Sequence, residues 1–113
     1  MTSELCGREN AVMSEGIEEA ELVEIEQRAG RAFSVAPAPW VAWLETRGGL
    51  GGESFIQLGD DPDLDQELYI RMYTGLNEIA SPDVHLDAVI EFIADACNAL
   101  PRLVAEIRRL RSR

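Results

Sequence analysis

Trp40-Val41-Ala42-Trp43-Leu44-Glu45, Thr46-Arg47-Gly48-Gly49-Leu50-Gly51-Gly52 and Ser54-Phe55-Ile56-Gln57-Leu58 follow one another almost without interruption. The outer segments are aromatic and β-branched, which suits a pleated surface. The middle one holds four glycines and predicts a turn. Together they predict a β-hairpin with a long tip. Trp40 and Trp43 are an odd number of positions apart, so they fall on opposite faces of their strand. One of them belongs to the core, and the other is a candidate for exposure.

Downstream, Gly59-Asp60-Asp61-Pro62-Asp63-Leu64-Asp65 reads as a loop. In Gln66–Tyr73, Leu68, Ile70 and Met72 alternate with Tyr69, Arg71 and Tyr73, which predicts a third strand. The expected sheet is a three-stranded antiparallel meander with one apolar face. Residues 74–80 connect it to the C-terminal part of the chain.

Upstream, Leu22, Ile25, Ala29 and Ala32 recur at helical spacing, with Ile17 and Phe33 extending the stripe. A helix is expected over 15–32, with Ser14 as N-cap and acids at Glu15, Glu18 and Glu19 suiting its first turn. Pro37 and Pro39 end it and bias the chain toward extended structure. Residues 1–13 are polar and aperiodic, and read as a flexible tail.

Ser81-Pro82-Asp83 is a helix-start signal: a cap, a proline at the first helical position, then an acid. Beyond it, three rows repeat every seven residues: Leu86/Ile93/Leu100/Ile107, Val89/Ala96/Leu103/Leu110 and Ile90/Cys97/Val104. Pro101 interrupts them, and an interior proline costs about 3 kcal/mol. Two helices are expected, over 83–98 and 101–111, or one helix kinked at Pro101. A coiled-coil dimer is the alternative use of the repeat. The fold class is therefore α+β: an N-terminal helix, a three-stranded meander and two C-terminal helices, in a single domain over 14–113.

The 113 residues carry 21 acids against 10 arginines and no lysine, a net charge of −11. Residues 1–100 hold five arginines and twenty acids, a net of −15, while residues 101–113 hold five arginines and Glu106, a net of +4. Such acidity disfavours non-specific nucleic-acid binding and anionic membrane surfaces. The absence of lysine excludes Schiff-base chemistry on a lysine. The arginine-rich end suits the dipole of a last helical turn, with a docking tip as the sharper reading. The N-terminus shows no apolar leader segment and no run approaches a membrane span, so a soluble, cytoplasmic protein is expected.

Candidate chemistry is sparse. Asp60, Asp61, Asp63, Asp65 and Glu67 alternate like a calcium loop, but from Asp61 the glycine position holds Gln66 and the final acid position holds Met72. The glycine tip is not followed by Lys-Ser/Thr or a helix, so both the Walker and the Rossmann patterns fail. His85, the lone imidazole, reads as a surface or capping residue. Cys6 and Cys97 form no metal or redox spacing, and Cys97 reads as a small core residue. No catalytic constellation, metal site or cofactor is expected, and the chain is read as a non-enzyme.

Ala38-Pro39-Trp40, Glu53-Ser54-Phe55-Ile56, Glu91-Phe92-Ile93-Ala94-Asp95-Ala96 and Leu100 to Leu110 occur together, after Glu24-Ile25-Glu26-Gln27-Arg28. In that order they resemble a group of small bacterial and phage-encoded proteins. That group has a "PGPW" motif opening a strand and a "DFIAxARxDVPRLVAEVRRLR" C-terminus, and is similar to ead-type phage early-region proteins. The likeness covers roughly half of the chain. Ala38 stands for the glycine of "PGPW", and Ala99 for an aspartate that would cap the last helix. The resemblance implies a setting in prophages and mobile elements and transfers no catalytic residue.

The leading functional expectation is an acidic protein that binds and occludes a protein partner bearing a basic cleft, as a phage accessory, anti-defence or toxin-immunity protein would. The candidate contact residues are Trp43, Asp60, Asp61, Asp63, Asp65, Tyr69 and Tyr73, on a monomer or homodimer. The alternatives are a small-ligand or nucleotide module using the glycine tip with Arg47 or Arg71, metal-assisted chemistry at the aspartate loop, and an oligomer built through residues 83–110.

Overall fold

The computed structural model describes residues 16–49 and 51–113. The expected tail, Ser14, Glu15 and Cys6 lie outside the described residues. The architecture is α+β: helix α1 (Glu19–Val35), a three-stranded antiparallel sheet of β1 (Trp40–Trp43), β2 (Phe55–Leu58) and β3 (Gln66–Leu68), a small hairpin of β4 (Tyr73–Thr74) and β5 (Asn77–Glu78), and helix α2 (Val84–Arg111).

α1 starts later and ends later than its sequence pattern suggested. Glu18 is the N-cap residue, with no side-chain cap, and Glu19 and Glu21 supply the first-turn negative charge that favours this end. Leu22 is buried, and Ile25, Ala29 and Phe33 follow it half-buried on the same face. Ala32 and Ile17, expected in that stripe, are exposed.

The meander has the expected order, β1-β2-β3. Trp40 pairs with Leu58 and Trp43 with Phe55; Ile56 pairs with Leu68 and Leu58 with Gln66. The inner face carries Ala42, Ile56, Leu58 and Leu68, which join Leu44, Leu86, Ile90 and Ala94 in the core. Trp40 also faces inward, edge-on to Phe33 at 6.0 Å, with its indole N–H donating to the Ala36 carbonyl at 3.0 Å.

The third strand is shorter than its alternation implied. The ladder ends at Leu68, which pairs one residue short of the first residue of β2, so a strand running to Tyr73 has nothing to pair with. Ile70 and Met72 still pack inward and Tyr69, Arg71 and Tyr73 outward, so the alternation reports burial without a ladder. Tyr73 and Thr74 instead pair with Glu78 and Asn77 around Gly75-Leu76. Gly75 has φ +64 at the first loop position, where glycine adopts the hairpin turn without a Cβ clash.

Of the two expected forms, two helices or a single one carrying Pro101, α2 takes the second and runs unbroken through Pro101. Pro101 removes one interior hydrogen bond, but Leu100 and Pro101 line a groove with Ala29 and Phe33 of α1, and Val104 beside them is buried. That packing offsets the local cost. The N-cap is Asp83, whose side chain accepts from His85 N–H and Leu86 N–H; Pro82 precedes the cap instead of opening the helix. The Ser81 hydroxyl accepts from Ser54 N–H at 3.1 Å.

The sevenfold rows also divide. Leu86, Ile90 and Val104 are buried, whereas Val89, Ala96, Leu103 and Leu110 face solvent, because the sheet and α1 cover one side of α2 only. Cys97 is half-buried and not in the core.

Candidate functional site

The register decides which side chains meet on the outer face of the sheet. Val41 and Trp43 of β1, Phe55 and Gln57 of β2 and Glu67 of β3 alternate with the inward residues. Tyr69 continues the β3 side. The Phe55 and Tyr69 rings stack at 5.4 Å and 27°. Trp43 stands opposite Phe55 and donates its indole N–H to Gln57 Oε1 at 2.9 Å. The result is a row of three aromatics across three chain segments. Trp43 remains 53% and Tyr69 45% exposed.

Acids border this row. The Tyr69 hydroxyl donates to Glu67 at 2.8 Å. That bond, then burial, then the charges of Glu67, Glu53 and Asp65, hold its pKa above the usual phenol value. An open cleft of about 840 Å³ adjoins the row, walled by Trp43, Phe55, Glu45, Arg47, Glu91 and the glycine tip.

The sequence candidates separate into three places. Trp43 and Tyr69 meet through Phe55, which sequence reading missed. Asp60, Asp61 and Asp63 lie on the loop leaving Leu58, at the end of β2 opposite Phe55, and three residues of strand span about 10 Å. Asp65 is the member of that loop whose charge reaches Tyr69. Tyr73 is exposed in the β4–β5 hairpin. The aspartate loop is a local turn: Asp61 Oδ1 accepts from Asp63 N–H at 3.0 Å. Among the described residues, no group of three or more His, Cys, Asp and Glu side chains is placed to hold a metal ion.

The groups that could have cradled an anion are engaged internally. Glu45 Oε1 accepts from Gly51 N–H at 2.8 Å and Gly52 N–H at 3.0 Å. Arg47 makes a two-pronged pair with Glu91, both bonds 2.8 Å. Arg71 pairs with Glu78 at 2.6 Å and Glu53 at 3.6 Å. Three arginines at the basic end of α2 are likewise answered: Arg108 binds Glu19 and Glu26, Arg111 approaches Glu19, and Arg109 binds Glu106.

Three polar side chains of α2 fix the sheet that presents the aromatics. Asp87, 1% exposed, accepts through Oδ2 from Thr46 N–H at 3.0 Å and the Thr46 hydroxyl at 2.6 Å. Its Oδ1 is buried without a partner of good geometry. The Ser54 hydroxyl stands beside the carboxylate, and its oxygen accepts from Glu45 N–H at 2.8 Å, leaving its proton for Asp87. Burial pushes the Asp87 pKa up, but Ser54, Thr46 and the Arg47 charge together outweigh it and hold the group below the usual carboxylate range. Glu91 adds the Arg47 pair. Asn98 accepts from Trp40 N–H at 2.8 Å and donates to Trp40 C=O at 2.7 Å, pairing with edge strand β1 as a neighbouring strand would.

His85 is exposed in the first turn of α2. The Cys97 thiol is pushed up by burial, which keeps it protonated and a poor nucleophile. No helix among the described residues is long and apolar enough to cross a membrane. Comparisons with protein-family models, with curated proteins and with solved structures find no match.

Proposed function

We propose that this chain is a non-catalytic protein-binding module that acts by covering a basic surface of its partner. The observation that carries the reading is the row Trp43–Phe55–Tyr69, exposed at Trp43 and Tyr69 around a half-buried Phe55 and bordered by Glu53, Asp65 and Glu67. Aromatic side chains supply most of the energy of many protein interfaces, in patches where flanking groups exclude water. Here the rings are held by stacking and hydrogen bonds, so little side-chain freedom is lost on docking. The net charge of −11 steers the molecule toward a positive cleft and away from polyanions.

The pairing of Arg47, Arg71 and the glycine-tip amides with carboxylates weighs against the nucleotide reading, because an anion would first have to displace those partners. An inhibitor role of the phage accessory, anti-defence or toxin-immunity type fits an acidic surface with an aromatic centre. Affinity capture from the native host tests it. A specific protein retained at low salt and released as salt rises supports the reading. Recovery of no specific protein at low salt overturns it.

A further inference from the structure

The long helix leaves a second surface uncovered. Val89, Phe92, Ala96, Ala99, Leu103 and Leu110 lie on α2 at alternating three- and four-residue spacings, with Glu106 filling the step between the last two. This is the seam of a heptad repeat. It points away from the sheet and from α1, which bury Leu86, Ile90, Ala94 and Val104 on the other side. Phe92 is 70% and Leu103 57% exposed, too much apolar surface on one helix face for scattered exposure.

The charges beside the seam select its occupant. Arg108, Arg109 and Arg111 are all paired within the chain. Asp95 and Arg102, one heptad apart on the same flank, have no ion pair among the described residues. A second copy running antiparallel brings each of these charges opposite its complement. The same two-fold operation, centred between Ala96 and Ala99, sets Phe92 against Leu103. A parallel copy sets Asp95 and Arg102 against the apolar flank of Leu100 and Ile107, leaving both charges unanswered.

We propose that this chain forms a two-fold antiparallel dimer through the outer face of α2. Phe92 packs on Leu103 of the partner subunit, and Asp95 pairs with Arg102 of the partner subunit. The two alanines at the centre let the helices approach closely. The sheet face carrying Trp43 and Tyr69 stays free on each copy.

Sedimentation equilibrium of the full chain over a concentration series tests the proposal, with circular dichroism confirming that each variant folds. The wild type is expected to dimerise reversibly. Phe92→Glu and Leu103→Ser, both at exposed positions, are expected to be monomers. Asp95→Arg and Arg102→Asp alone should each weaken the dimer at least tenfold, and the double reversal Asp95→Arg/Arg102→Asp should restore it. A wild type that stays monomeric up to ~1 mM overturns the proposal. So does a dimer that survives Phe92→Glu, or a double reversal no tighter than the single ones.

Discussion

Thr46, the first residue of the hairpin turn, is held to α2 by Asp87, which accepts both its N–H at 3.0 Å and its hydroxyl at 2.6 Å. The carboxylate is almost wholly enclosed although Thr46 is exposed, so its loss takes a partner from the buried Ser54 hydroxyl as well as from the part-buried Thr46 groups. Asp87→Ala should cost about 2–3 kcal/mol in urea unfolding. Because the folded pKa is depressed, the contribution of Asp87 is complete above its unfolded pKa and disappears as pH falls through the folded one. The acid-side slope of stability should therefore flatten in Asp87→Asn. An unchanged slope would assign the acid sensitivity to other carboxylates.

Asn98 acts at the other end of β1. Its amide satisfies both backbone groups of Trp40, and Asn98→Leu fills similar space without doing so. A loss of about 1–3 kcal/mol is expected. Hydrogen exchange at the Trp40 amide should accelerate in that variant, and an unaltered Trp40 rate would contradict the pairing.

Two glycines of the same tip should respond oppositely. A Cβ at Gly49 would collide with the backbone and carboxylate of Glu45, while one at Gly52 meets open space. Gly49→Ala should lower the melting temperature clearly, and Gly52→Ala should leave it nearly unchanged. Equal effects would mean that Glu45 does not organise the tip.

How much of this was legible in advance depended on the range of the interaction. The helix pattern of α1, the proline break and the Trp40–Leu58 hairpin are local, and the sequence carries them in adjacent residues. Register was not legible, because a seven-residue, glycine-rich tip permits several alignments, so the Phe55–Tyr69 stack stayed hidden. The end of β3 at Leu68 depends on where β2 begins, a non-local fact. Asp87 and Asn98 look like ordinary polar residues on an amphipathic helix until the strand they serve is in place. Pro101 left a choice between a break and a single helix, and packing against α1, which is remote in sequence, favours the single helix.

The Tyr69 hydroxyl offers a spectroscopic check on the acidic border of the aromatic row. Its phenol pKa is held above the usual value chiefly because the hydroxyl donates a hydrogen bond to Glu67. Glu67→Gln should move that titration down toward an ordinary tyrosine, read by ultraviolet absorbance against a Tyr73→Phe background. A titration indifferent to Glu67 would contradict the contact.

The binding proposal is tested most sharply by the affinity of the captured partner for wild type and for Trp43→Ala/Tyr69→Ala, by calorimetry on proteins of matched circular dichroism. Both residues are substantially exposed, so the fold should persist. A central aromatic carries about 2 kcal/mol or more, so binding should weaken at least ~30-fold. An affinity within threefold of wild type would place the partner on another surface and contradict the role of the aromatic row.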